Sequence, residues 1–102
     1  MGSLATPPAK YGVLGLTKLA AQETAVTGVR VNAILPGMTR TPLFGSWAAE
    51  HPDHAEALAA TVPVGRMASP AEVAEAAVWL CSPRASYVNG LSLVIDGGRS
   101  FR

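Results

Sequence analysis

The stretch TPPAKYGVLGLTK, Thr6 to Lys18, places Lys10 at the mouth of a helical pattern. An ammonium group beside a phenol favours its ionised form and can bring a hydroxyl of pKa near 10 toward neutrality. That is the tuning a proton donor or acceptor needs when a carbonyl is reduced or an alcohol oxidised. Four residues before Lys10 stands Thr6, whose aliphatic hydroxyl is far too weak an acid for such a role. Tyr11 adjoins Lys10, so on a helix it points about 100° around the axis and is expected to pack.

Two other groups invite a chemical reading. His51 and His54, with Asp53 and Glu56 beside them, form an H-x-x-H pattern with no third ligand at a known spacing, so no metal is expected. The single cysteine, Cys81, lies in the apolar run AEAAVWLCS, where a buried thiol on a packed helix is the expectation and no neighbouring cation favours a thiolate.

These residues sit in a chain of 102, which allows one small domain at most. With 49% hydrophobic and 15% charged residues the composition is globular rather than disordered. The net charge of +1, with no basic run, argues against nucleic acid or an anionic membrane as partner. No apolar stretch reaches the roughly 18 residues that cross a bilayer. The opening MGSLATPP lacks the segments of a secretory signal, so a cytoplasmic protein is expected.

The positioning elements follow from periodicity and punctuation. Val13, Leu14, Leu16, Leu19 and Ala20 predict a helix over 9–27, entered by Pro7-Pro8 and stopped by Gly28. VRVNAIL predicts a strand over 29–35, ended by Pro36-Gly37. Residues 36–64 read as a loop and mobile insertion with one short helix over 52–60. In SPAE, Ser69 is a candidate N-cap, Pro70 the first helical residue and Glu72 the capping-box carboxylate, opening a helix over 69–82. LSLVIDGG, 91–98, closes the chain as a second strand with its exit. Strand, helix and strand suit a right-handed parallel crossover, yet the first strand is apolar enough to be central and has one evident neighbour.

Four pieces, in order, resemble the C-terminal part of the short-chain dehydrogenases/reductases. AKYGVLGLTKLAAQE is similar to the helix carrying that family's active-site lysine, and GVRVNAILPGMTRTP to its next strand and cofactor loop. GRMASPAEVAEAAVWLCSP and YVNGLSLVIDGG are similar to its last helix and last strand. The resemblance implies an α/β class, a partial Rossmann-like fold made of a helix-strand-helix-strand portion with two parallel strands. It also implies NAD or NADP as cofactor, hydride transfer with a small alcohol or carbonyl substrate, and association as a homo-oligomer or with a related subunit.

Carried over position by position, Lys10 matches the lysine that binds the nicotinamide ribose and lowers the catalytic tyrosine's pKa. Pro36 and Gly37 match the turn beside the nicotinamide ring, Thr39 the position whose backbone faces the carboxamide, and Thr41 the threonine bonded to that group or to the nearby phosphates. Asn32 matches a structural asparagine, and Leu43, Phe44 and Trp47 fall in the segment that covers substrate. Thr6 stands where the family has its tyrosine, Ser3 does not match the family serine, and the Gly-rich phosphate loop has no counterpart. The chain alone is therefore expected to be inactive. Two alternatives remain open: a non-catalytic assembly module joined through free sheet edges, or a truncated fragment of marginal fold.

Overall fold

The computed structural model describes residues 8–99; Ser3 and Thr6 lie outside them. Helix α1 spans Pro8–Thr24. Thr17 and Ala21 are buried along it and Leu14 and Thr24 half-buried, a stripe at helical spacing that faces the sheet. Both threonines return their hydroxyls to the helix, Thr17 to the Val13 carbonyl at 2.7 Å and Thr24 to that of Ala20 at 2.8 Å. Beyond Thr24 the helix tightens into a 3₁₀ turn, Ala25–Thr27, and stops at Gly28, whose φ of 83° lets its N–H reach the Ala25 carbonyl at 3.1 Å.

Strand β1 is Ala33–Pro36, shorter than the pattern predicts. Over 30–32 the chain is held to the crossover's return largely by side chains. The Val31 N–H donates to Asn89 Oδ1 at 3.0 Å, and Asn32 Oδ1 accepts from the Leu91 N–H at 2.9 Å. Asn32 Nδ2 and Arg30 Nη1 both donate to the Val88 carbonyl, Arg30 Nη2 reaches that of Ser82, and Asn89 Nδ2 reaches Ala21 on α1. Amide and guanidinium groups here do the work that a longer strand ladder would do.

Strand β2, Ser92–Ile95, runs parallel to β1 with Ala33 opposite Ser92 and Pro36 opposite Ile95. Three helices fill the crossover. Helix α2, Pro42–Glu50, starts at an N-cap, Thr41, whose hydroxyl accepts from the Phe44 N–H. The sequence pattern predicts no helix there. Helix α3, Pro52–Ala60, follows after His51 alone. Helix α4, Pro70–Leu80, begins with a complete capping box between Ser69 and Glu72. Cys81 caps the end of α4 and is exposed rather than buried, because the helix stops one residue before it.

Helices α1 and α4 both pack on β1. The core is thin: Ala21, Val62, Met67, Leu80 and Ala85 are its buried apolar residues, and among the described residues no large side chain is fully enclosed.

Candidate functional site

The C-terminal end of β1 carries the loop of interest. In a parallel sheet this is where ligands settle, because the crossover leaves the strand ends open and the following helix presents its N-terminus. Pro36 ends the strand, and the next residue, Gly37, donates its N–H to the Ile95 carbonyl at 2.8 Å. This holds the loop against the end of β2 so closely that a Cβ on Gly37 would lie 2.7 Å from Asp96 Cβ and 2.9 Å from Asp96 Cα. Only glycine fits.

The loop then crosses to α4's entry. Thr39 forms a parallel bridge with Ala68; the Arg40 N–H donates to the Ala68 carbonyl at 2.8 Å, and the Ala68 N–H donates to Met38 at 2.9 Å. Thr39 Oγ1 donates to the Gly37 carbonyl at 3.2 Å, which folds the loop on itself. Two residues further, Thr41 Oγ1 accepts the Phe44 N–H at 3.1 Å. Accepting there leaves that hydroxyl its proton to donate.

Below the loop lies a cleft of about 160 Å³ between Met38, Val62, Arg66, Glu72 and Asp96. Its charged wall is rigid: Arg66 meets Glu72 through two parallel N–H to O bonds of 2.8 Å, and Glu72 Oε1 also accepts from the Ser69 N–H at 2.8 Å. Those bonds from Arg66, and then from Ser69, hold the Glu72 carboxyl down at about 2. On the far side Asp96 Oδ1 accepts from the Gly98 N–H at 3.0 Å, and Gly97, at φ 63°, lies where a Cβ would meet Val62 Cγ1 at 2.7 Å.

The fold thus brings Pro36, Gly37, Thr39 and Thr41 into one loop; Lys10 stands apart, exposed on the first turn of α1. Sequence reasoning passed over the supports of that loop: Asp96-Gly97 as the wall Gly37 leans on, and the Arg66 to Glu72 pair. The paired glycines after β2 were the available signal for the first. The insertion carries a ladder of rings, with Trp47 stacked on His51 at 5.1 Å and 17° and facing Phe44 at 5.5 Å. His51 and His54 serve that ladder, and among the described residues no three metal-ligating side chains gather.

A parallel crossover with an open loop at its strand end, covered by helices, makes the chain part of a Rossmann-like α/β fold. The family described as enoyl-(acyl carrier protein) reductase matches residues 3–100, and the chain belongs to the short-chain dehydrogenases/reductases. It is 52% identical, over 95% of its length, to the A-factor type gamma-butyrolactone 1'-reductase (1S-forming) of Streptomyces virginiae, and 43% identical, over 88%, to short-chain dehydrogenase RED2 of Pyricularia oryzae. It spans 40% of the first relative and 32% of the second. Among solved structures, an actinorhodin polyketide ketoreductase variant with NADPH matches 91% of the chain at TM-score 0.81 and 35% identity, while the chain covers 39% of that structure.

Proposed function

We propose that the chain is the nicotinamide-side portion of an NAD- or NADP-dependent oxidoreductase of the cytoplasm, acting on a small alcohol or carbonyl compound, and that without further residues it does not turn over. The observation that carries this reading is the loop from Pro36 to Thr41. It is held open at the end of a parallel strand by a glycine that tolerates no side chain, and it ends on a threonine hydroxyl with a proton to give.

The donor set fits one end of a dinucleotide. Thr41 Oγ1 and the backbone around Thr39 would hold the nicotinamide carboxamide, Pro36 and Gly37 would lie along the ring, and Lys10 would hold the ribose hydroxyls. Bound there, the nicotinamide supplies or accepts the hydride. The other end does not fit: Gly12, Gly15, Gly28 and Gly37 spell no G-x-G-x-x-G after a strand, so nothing in this sequence cradles a pyrophosphate. Proton transfer fails too, since Thr6 stands four residues before Lys10 in place of a phenol. The insertion with Leu43, Phe44 and Trp47 would close over the substrate.

Dehydrogenase and reductase assays of the chain with both nicotinamide cofactors, over a panel of carbonyls and alcohols, test this. No turnover is expected; turnover that Lys10→Met removed would overturn it. The second reading, an assembly module, is favoured by one specific observation, the amount of surface the chain leaves open.

A further inference from the structure

A folded chain of 10.5 kDa is expected to expose about 5,400 Å² and, at this length, to have a radius of gyration near 13 Å. This one exposes 7109 Å² and has a radius of 16.0 Å, with extents of 51 × 29 × 21 Å. The excess of about 1,700 Å² is roughly twice what one partner contributes to a standard protein interface. It is also concentrated where a sheet and a helix are incomplete.

The first place is the second edge of β1. The donors to β2 are the N–H groups of Ala33 and Gly37, so alternation along the strand turns the Ile34 N–H to the other edge, where among the described residues no strand lies. Parallel strands are covered on both faces and both sides in stable folds, and a two-stranded sheet alone is marginal. The second is α1. Besides its buried stripe it presents Val13, Leu16 and Leu19 at 49%, 68% and 52% exposure. A helix apolar on more than one face is built to be surrounded.

We propose that the free edge of β1 and the exposed apolar flank of α1 are the receiving surface for the preceding strand-and-helix portion of a short-chain dehydrogenase/reductase, supplied as a separate polypeptide. The occupant follows from coverage: the relatives superpose on this chain over nearly all of it, while about 60% of their length has no counterpart here. A second copy of this chain brings the same four-residue strand, ended by Pro36 with no N–H to give, and offers β1 a poor partner. The proposal rests on the functional reading above, since the missing portion is also what would carry the phosphate loop.

The test pairs the full 102-residue chain with the part of the Streptomyces virginiae reductase that precedes the matched region, expressed separately and mixed or co-expressed. Size exclusion with light scattering is expected to show a 1:1 complex, and hydrogen exchange to show the Ile34 amide protected in the complex and open in the chain alone. Val13→Asp and Leu16→Asp, both at exposed positions and so tolerated by the isolated chain, should weaken the complex at least about tenfold; Tyr87→Ser, at a fully exposed site away from α1, should not. Failure to co-elute, a homodimer that the segment does not displace, or an Ile34 amide equally protected in the chain alone would each overturn the proposal. A complex that forms yet binds neither NADH nor NADPH would leave the docking surface standing and sink the functional reading instead.

Discussion

Replacing Gly37 by alanine tests the close approach on which the loop's position depends. The added methyl would sit 2.7 Å from Asp96 Cβ and 2.9 Å from Asp96 Cα. Ordinary carbon contacts lie at about 3.5–4.0 Å, so the two strand ends must part by roughly 1 Å. The obstacle includes backbone, which cannot swing aside as a side-chain tip would. Parting also stretches the 2.8 Å bond from the Gly37 N–H to the Ile95 carbonyl. Overpacking costs about 1–3 kcal/mol and a lost hydrogen bond about 1 kcal/mol, so Gly37→Ala should destabilise the chain by about 2–4 kcal/mol, a fall in midpoint of roughly 10 °C or more. Thermal unfolding followed by circular dichroism measures it. Gly45→Ala is the control: Gly45 lies inside α2 with nothing within 4 Å of its missing Cβ, so the same chemical change should stabilise by about 0.5–1 kcal/mol. A Gly37→Ala chain that unfolds with the wild type would refute the reasoning.

The pair of Arg66 and Glu72 makes an acid prediction. Because the folded carboxyl titrates at about 2 against its usual 4.5, its contribution is present above pH 4.5 and is lost as pH falls toward 2. Urea unfolding of wild type and Glu72→Gln should therefore converge across that window; since both groups are exposed, the gap at neutral pH is expected to be small. Ser69→Ala removes the other half of the capping box and should cost about 1 kcal/mol in the same assay. Asn89→Leu strips the bonds to Val31 and Ala21 and should cost about 1–3 kcal/mol, visible as an earlier urea midpoint. In the two-chain complex, Thr6→Tyr should confer carbonyl reduction, and adding Lys10→Met to it should remove roughly a hundredfold or more of that rate.

What could be read from the sequence was what short-range chemistry fixes. Ser69-Pro70 with Glu72 announces α4 because a hydroxyl, a missing N–H and a carboxylate three residues on satisfy a helix start by themselves. Thr41-Pro42 is the same signal, and α2 was still missed: its glycine and its short length hid the period behind the cap. The strand 29–35 read as too long for the opposite reason. Its alternation continues to Val29, yet Asn32, Asn89 and Arg30, nearly 60 positions apart in the chain, take over the bonding there. Lys10, Pro36, Gly37, Thr39 and Thr41 were found by resemblance, while the contact of Gly37 with Asp96 joins positions far apart and has no local signature.

The same polar clamp bears on why so small a piece keeps its shape. With no large side chain fully enclosed among the described residues, burial alone gives the two strands little reason to stay together. Arg30, Asn32 and Asn89 close the crossover through directed bonds to carbonyls and amides of 82, 88, 91 and 21, bonds that need neither the missing strands nor a filled core. Gly37 and Asp96 then set the loop at the opposite end of the same strand pair. The loop geometry is thus determined within this chain, whereas the apolar flank of α1 and the outer edge of β1 are left for something else to cover. A surface arranged in that way can accept the rest of a fold without first rebuilding its own half, which is the condition an assembly from two polypeptides has to meet.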